Sequence, residues 1–288
     1  MDTRLLTMVR PRIRRLTRDM TTLVLGGTGK TGRRIASLLT RRGLPVRIGS
    51  RSARPAFDWA RPQTWDAALG GVHAVYLSFY PDLALPGAAE TVAAFVDRAA
   101  ARGVRRVVLL SGRGEPQALV SEETVRRSGL PWTVVRPSWF NQNFSEGFLL
   151  DAVRAGELAL PVGDAAEPFT DADDIAEVAV AALTDERHAG QTYELTGPRL
   201  LTFADAAAEI TAATGRPIGF LPLRPDEFTA VLREHGLPED LGDLFHLITD
   251  GRNAYLTDGV QRALGRPPRD FADYARATAA TGVWDPLP

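Results

Sequence analysis

Short apolar runs alternate with helically spaced apolar positions in the first half of the chain. The run Leu23-Val24-Leu25 is followed by Ile35, Leu38 and Leu39 at helical spacing. Further runs predict strands over 44–51, 74–79, 104–112 and 130–138, a short strand that ends at Phe57-Asp58-Trp59, and helices over 90–103 and around 122–128. Strands that alternate with helices predict an α/β fold with a doubly wound parallel sheet.

The pattern changes after Pro137. A helix is predicted over 171–183, one returning strand near 191–197, and mostly short helices over 202–281. We therefore expect residues 21–137 to form a sheet domain and residues 138–288 a smaller, mainly helical lobe, with the strand near 191–197 joining the sheet. Residues 1–20 are basic and lack the apolar stretch of a secretory signal, so we expect a disordered extension or, alternatively, a short ordered arm.

Two phosphate-binding motifs overlap directly after the first strand. Gly29-Lys30-Thr31 resembles the end of a P-loop, but the first glycine of that motif would fall on Val24, inside an apolar run. The alternative G-x-G-x-x-G motif lies between a strand and a helix, as dinucleotide binding requires. The sequence therefore predicts a Rossmann-type cofactor loop formed by Gly26, Gly27, Thr28, Gly29, Lys30, Thr31 and Gly32.

The end of the second predicted strand indicates which dinucleotide is bound. An NAD enzyme would carry an acidic residue there, but this chain has Ser50-Arg51-Ser52, which suits a 2′-phosphate and favours NADPH. The other expected cofactor contacts are Asp58 and Trp59, placed to meet the adenine, and Ser78, Ser111 and Pro137 at later strand ends, placed to line the nicotinamide half of the cleft.

Composition limits the partners that the chain suits. The formal net charge is −1, so the chain has no excess of positive charge that would indicate nucleic-acid binding. It has no cysteine, and no apolar run approaches the ~20 residues of a membrane span. The four histidines are scattered, and the acidic run 171–174 is typical of a helix start, so we predict no metal. We expect a cytoplasmic protein, monomer or homodimer, that acts on a small molecule without nucleic-acid or membrane partners.

Several stretches together resemble the NmrA-like branch of the atypical short-chain dehydrogenase/reductases, close to the ergot-alkaloid dehydrogenase group. The resemblance covers about residues 22–272 and is carried by "LVLGGTGKTGRRIASLL", "SRS", "FDW", "AVYLSFYPDL", "GVRRVVLLS", "SGLPWTVVRPSWFNQNFSE", "PFTDADDIAEVA" and "GLPEDL". It implies an NADPH-binding reductase that acts on the C=N bond of a tricyclic or tetracyclic iminium. The arginine-rich composition suggests a bacterial source rather than a fungal one.

The Tyr-x-x-x-Lys pair of typical short-chain dehydrogenases is missing. Lys30 in the cofactor loop is the sole lysine, and the aligned positions hold Gly114 and Ala118. A ketone therefore lacks its proton donor, whereas an iminium needs only hydride, and a conjugated enone or quinone could take its proton from water. Tyr80 and Ser111 are the remaining candidate catalytic residues.

Loops at the carboxyl ends of the strands supply the candidate substrate contacts, which are Tyr80, Trp139, Phe140, Asn141 and Phe144. Such an aromatic lining could attract a cation, although core packing is an equal alternative for Trp139, Phe140 and Phe144. Two other functions stay open: an NADP-binding redox sensor without turnover, and a redox-neutral isomerase or epimerase.

Overall fold

The computed structural model describes residues 20–234 and 240–286, which form two compact units. Unit 1 contains the described residues up to Ser111, with Pro116–Val135 and Ala176–Tyr193. Unit 2 contains Gly112–Glu115, Arg136–Ile175 and the described residues from Glu194 onward. The expected basic extension, up to residue 19, and residues 236–239 of "GLPEDL" lie outside the described residues.

The described residues contain eight strands and twelve α-helices. They are β1 (Thr21–Leu25), α1 (Lys30–Arg41), β2 (Val46–Gly49), α2 (Trp65–Leu69), β3 (Val72–Leu77), α3 (Ala88–Ala101), β4 (Arg106–Leu110), α4 (Pro116–Arg127), β5 (Trp132–Pro137), α5 (Asn143–Glu146), α6 (Leu150–Ala155), β6 (Glu157–Leu160), α7 (Ala172–Thr184), β7 (Gln191–Leu195), α8 (Phe203–Thr214), β8 (Gly219–Pro222), α9 (Pro225–Glu234), α10 (Asp240–Thr249), α11 (Gly259–Leu264) and α12 (Phe271–Ala279).

A six-stranded sheet in the order β2-β1-β3-β4-β5-β7 organises unit 1. The neighbouring pairs from β2 to β5 are parallel, with Val24 opposite Ile48 on one side and Tyr76 on the other. Strand β1 lies between the next two strands of the chain, so the direction of winding reverses there, and parallel sheets bind ligands at such a point. The predicted doubly wound α/β fold is confirmed.

The core of unit 1 consists of apolar side chains from the central strands and the helices that cover them. Val75, Val107 and Val134 come from neighbouring strands and are fully or almost fully buried with Phe95 of α3. These strands read as continuous apolar runs because a covered parallel sheet buries both of its faces.

The predicted strand that ends at Phe57-Asp58-Trp59 is wrong. The segment has no strand, and its amides are used by turns, since the Phe57 N–H donates to the Ser50 carbonyl at 2.9 Å and the Asp58 N–H to Thr64 Oγ1 at 3.1 Å. Phe57 is buried in an aromatic cluster with Trp65 and Phe95. The apolar–polar–apolar alternation therefore reflects aromatic packing rather than a strand.

Unit 2 is mainly helical and has its own apolar core. Phe144, Phe169, Phe203 and Phe271 form its centre, with ring centroids 5.1 to 6.2 Å apart in the contacting pairs. It also contains a parallel pair of β6 and β8, which the sequence pattern did not predict. None of the helices in the described ranges is long and apolar enough to cross a membrane.

Candidate functional site

The glycine loop of unit 1 forms a tight turn between β1 and α1. Gly26 has a φ of +63°, which side-chain-bearing residues rarely adopt, and its carbonyl accepts from the Gly29 N–H at 2.8 Å. A Cβ on Gly32 would stand 2.2 Å from the Gly26 carbonyl oxygen. Only glycine fits at position 32, because α1 begins directly against the backbone of the turn.

The first turn of α1 suits a phosphate. Gly29 is the N-cap and has no side chain to bond the leading N–H groups, which together with the helix dipole favour an anion. The buried Tyr76 hydroxyl of β3 donates to Thr31 Oγ1 at 2.9 Å and so links this turn to the sheet. A pyrophosphate therefore fits the loop without displacing a capping side chain.

The polar residues after β2 lie where the sequence predicts a 2′-phosphate contact. Ser50 Oγ and Ser52 Oγ are 3.3 Å apart, and Arg51 is exposed. The Arg51 guanidinium lies 5.9 Å from the ring centroid of Tyr80, which is 67% exposed. The structure thus brings Tyr80 beside the residue expected to bind the phosphate.

Asp58 and Trp59 are held by contacts within unit 1. Hydrogen bonding from the Ala60 N–H, at 3.1 Å, and then pairing with Arg61 lower the pKa of Asp58. Trp59 Nε1 donates to the Ser78 carbonyl at 3.2 Å, and its ring packs 4.9 Å from Phe79. These contacts tie the segment to the end of β3, and the proposed adenine contact stays a prediction.

Ser78 and Ser111 follow β3 and β4 at the carboxyl edge of the sheet. The Ser78 hydroxyl lies 3.3 Å from the place where a Cβ of Gly26 would stand, so it borders the glycine turn. The buried Ser111 hydroxyl donates to Glu122 Oε1 at 2.6 Å. Arg126 Nη2 donates to the other oxygen of Glu122 at 2.8 Å. Ser111 therefore belongs to a charged network on α4.

Glu122 was not predicted from the sequence, although the helix pattern contains a signal for it. Ala118, Ser121 and Val125 of α4 are buried at the spacing of one helical face, and Glu122 is the acidic residue on that face. A carboxylate on a buried face needs a partner. Its partner Ser111 comes from a strand, so the spacing within the helix does not reveal it.

Four of the five predicted substrate residues follow Pro137, the last residue of β5, and lie in unit 2, whereas Tyr80 lies in unit 1. The Trp139 ring packs against Phe203, Phe245 and the largely exposed Phe148, and Phe140 forms an isolated bridge with Thr170. Asn141 is fully buried, and its two amide atoms have no hydrogen-bond partner within the described residues. Phe144 lies in the core of unit 2, so the packing alternative describes its surroundings.

Two further charged side chains are buried in unit 2. Arg113 donates to Ser138 Oγ at 2.6 Å, and its guanidinium lies 4.2 Å from the ring centroid of Tyr255. Burial raises the pKa of Glu167 to about 7, and the charge of Arg113 opposes this effect only in part. Neither residue was selected from the sequence, because nothing adjacent to them in the chain indicates burial.

The acidic run at the start of α7 has structural partners. Asp171 Oδ1 accepts from the Asp173 N–H at 2.7 Å and from Gln142 at 3.1 Å, and Asp174 pairs with two arginines, Arg266 and Arg269. Within the part of the chain that the structure describes, no group of three or more potential ligands could hold a metal ion.

Comparisons with known proteins agree with a dinucleotide site. A family described as NAD(P)H-binding matches residues 26–186. The chain is similar to agroclavine dehydrogenase of Claviceps fusiformis, with 36% identity over 280 residues, 88% of this chain and 96% of that one. It is also similar to NAD(P)H azoreductase of Xenophilus azovorans, with 34% identity over 284 residues, 90% of this chain and 98% of that one.

A solved structure shows the same fold. The NADPH-dependent quinone oxidoreductase of Escherichia coli, in complex with NADPH, superimposes with a TM-score of 0.74 and 20% sequence identity, and the match covers 90% of this chain and 99% of that one.

Proposed function

Because the chain belongs to the NAD(P)H-binding, NmrA-like family of oxidoreductases, we propose that it is an NADPH-dependent reductase that acts on an iminium or an activated C=C or C=O group of a small natural-product-like substrate. The close approach of Gly32 to the Gly26 carbonyl carries this proposal, since it brings the first turn of α1 against the glycine turn, where a pyrophosphate binds. When bound, NADPH supplies the hydride.

The proposed preference for NADPH rests on the residues that follow β2. Arg51 can pair with both oxygens of a 2′-phosphate, and the hydroxyls of Ser50 and Ser52 can donate to it. The Tyr80 ring beside Arg51 can hold the guanidinium in place by a cation–π contact. This basic and hydroxyl-bearing environment suits a 2′-phosphate better than a free ribose hydroxyl, which an acidic side chain would bind.

Helix α4 offers no proton donor of the kind that a ketone reductase uses. It contains neither tyrosine nor lysine, and its Ala118 is fully buried. At Gly114 a Cβ would meet the Asn253 side chain at 2.8 Å, so a larger residue would need the neighbouring loop to move. Hydride addition to an iminium gives a neutral amine without a proton, so the residues present suit that substrate class.

We assign the substrate contacts in unit 2 to Trp139, Phe140 and Asn141, and we assign Tyr80 of unit 1 to the support of Arg51. Aromatic faces attract a cation, and the buried amide of Asn141 has donor and acceptor atoms available for a polar substrate group. We give Phe144 a supporting role, because its ring is fully buried among Phe169 and Phe271.

Transfer of deuterium from 4-deuterated NADPH tests the proposal. The acceptors are a cyclic iminium, an enone, a quinone and a simple ketone, and the product is analysed by mass spectrometry. We expect label in the iminium product and in at least one activated neutral acceptor, and slow or no labelling of the ketone.

The glycine loop offers a matched control. Gly32→Ala should abolish NADPH binding and deuterium transfer, because the added Cβ has no room, whereas Gly163→Ala should change neither, since a Cβ there meets nothing within 4 Å. Labelling of ketones at the rate of the iminium would contradict the missing-acid mechanism. NADPH binding without transfer to any acceptor would favour the sensor alternative.

A further inference from the structure

The hydroxyl of Ser111 has a fixed direction. The Ser111 N–H donates to the Val135 carbonyl at 2.8 Å, which anchors the residue to β5, and its side chain is almost fully buried. Its hydroxyl donates to Glu122 Oε1, and the distance of 2.6 Å between the two oxygens is typical of a hydrogen bond to a carboxylate. A serine has one hydrogen to donate, so its remaining capacity is as an acceptor.

The charge of Glu122 is stabilised from its other side. Arg126, four residues later on α4, donates to Glu122 Oε2 at 2.8 Å and also to Thr192 Oγ1 at 3.2 Å. The Arg126 guanidinium lies 5.4 Å from the ring centroid of Trp132, which further fixes its position. Arg126 thus donates to one oxygen of the Glu122 carboxylate, and the other oxygen accepts the Ser111 hydrogen.

We propose that Glu122 is a positioning residue that holds Ser111 as a hydrogen-bond acceptor and thereby makes the site selective for positively charged C=N acceptors over neutral carbonyls. The inference rests on the proposed reductase function and names the substrate class of that site. An acceptor oxygen backed by a carboxylate stabilises a cation. It destabilises the alkoxide that forms when hydride reaches a carbonyl carbon, because Ser111 has no hydrogen left to give.

The two reactions differ in their proton balance. Hydride adds two electrons to the carbon of a C=N⁺ group, the π electrons move to nitrogen, and the product is a neutral amine together with NADP⁺. The same transfer to a ketone leaves an anionic oxygen that must take a proton. Ser111 in its observed hydrogen bond serves the first reaction and not the second.

Glu122→Gln provides a sharp test, because the amide can reverse the hydrogen bond. With its oxygen accepting from Arg126, its NH₂ group faces Ser111 and donates, which frees the Ser111 hydrogen for a substrate oxygen. For an N-methylated dihydroisoquinolinium ion we expect kcat/KM to fall about tenfold. For menadione we expect kcat/KM to stay equal or rise, so that the ratio of the two values falls at least about tenfold.

Three other variants complete the experiment. Ser111→Ala should lower kcat/KM for the cation about tenfold and leave menadione within about threefold, and Ser111→Thr, which keeps the hydroxyl, should restore the cation. Glu123→Gln is the matched control, since the neighbouring Glu123 is about half exposed and pairs with Arg127 at 2.6 Å. The Kd for NADPH and the melting temperature report structural damage, and if Glu122→Gln does not fold, the two Ser111 variants decide the question.

Equal losses on both acceptors, or a Glu122→Gln variant that behaves like Glu123→Gln, would overturn the inference while leaving the reductase function intact. A wild-type protein that reduces neither acceptor would refute the reductase proposal itself, and this inference with it.

Discussion

At the scale of single residues, Arg51 determines the choice of cofactor in our proposal. We expect Arg51→Ala to weaken NADPH binding by about 1–3 kcal/mol, the contribution of a hydrogen bond to a charged group, and to leave NADH binding almost unchanged. Fluorescence titrations with NADPH and with NADH measure the two dissociation constants. Arg54→Ala, which alters an exposed arginine three residues later, is the control. Equal affinity of the unmutated protein for the two cofactors would contradict the assignment.

Tyr76 supports the cofactor loop from the core. Its buried hydroxyl donates to Thr31 Oγ1, and burial raises the pKa of this tyrosine far above its usual range, so it stays protonated. Tyr76→Phe should lower the free energy of unfolding by about 1 kcal/mol and raise the Kd for NADPH several-fold. The measurements are denaturant unfolding and cofactor titration.

Tyr193 provides the comparison for that experiment. Its hydroxyl meets His188 Nδ1 at 2.8 Å in the same unit, away from the glycine loop in sequence. Tyr193→Phe should therefore cost similar stability without changing the Kd for NADPH. If the two variants affect the Kd equally, Tyr76 has no specific role in cofactor binding.

Glu167 should make stability depend on pH. Its pKa is about 7 in the folded protein against an ordinary value of 4.5, so the folded state binds more protons between these values. The free energy of unfolding therefore falls as pH rises from about 4.5 to about 7. Glu167→Gln removes this dependence and should be more stable than the wild type above pH 7, by up to about 3 kcal/mol.

Chemical denaturation of both proteins across this pH range checks the prediction for Glu167. Glu157→Gln, at an exposed position at the start of β6, should leave the pH dependence unchanged. A wild-type stability that rises across the same range, with no difference in Glu167→Gln, would show that Glu167 is ionised in the folded protein.

At the scale of elements, α8 has a capping box that should contribute measurably to stability. Thr202 Oγ1 accepts from the Asp205 N–H at 3.0 Å, and the Asp205 carboxylate accepts from the Thr202 N–H at 2.9 Å. Thr202→Ala should lower the free energy of unfolding by about 1 kcal/mol. Thr40→Ala, at an exposed position in the last turn of α1, should have almost no effect, and equal losses in the two variants would exclude a capping role.

The elements that the sequence predicted correctly are those whose burial leaves a long, regular pattern. Val72–Leu77 and Trp132–Pro137 are mostly apolar strands, and Ala88–Ala101 places Val92, Phe95 and Val96 on one face. Strands β6 and β8 were not predicted, because each has only four residues and β8 ends in a proline. Their pairing joins segments that are far apart in the chain, which periodicity does not detect.

The candidate site likewise contains features that the sequence predicted and features that it did not. The glycine turn is local, so a strand, a turn and a helix in sequence order were enough to predict it. The link from Ser111 to Glu122 and the burial of Glu167 depend on side chains that tertiary packing brings together. The sequence contains these residues, but their spacing along the chain does not reveal their partners.

At the scale of the whole molecule, we expect residues 1–19 to be dispensable. They contain no apolar periodicity, and the first buried strand is Thr21–Leu25. A chain that starts at Met20 should melt within a few degrees of the full-length protein and bind NADPH equally well. Thermal unfolding and cofactor titration test this, and a large loss in either would make the basic segment part of the fold.

In our proposal, the residues that bind the dinucleotide differ from those that select NADPH over NADH. Gly32 is buried against the backbone of the glycine turn, where a Cβ would stand 2.2 Å from the Gly26 carbonyl oxygen, while Arg51 and Ser52 are exposed after β2. Substitutions at residues 51 and 52 can therefore leave unchanged the glycine turn that we propose to bind the pyrophosphate. The preference for one cofactor can therefore be altered at exposed positions after β2, by a library of variants that leaves the core unchanged.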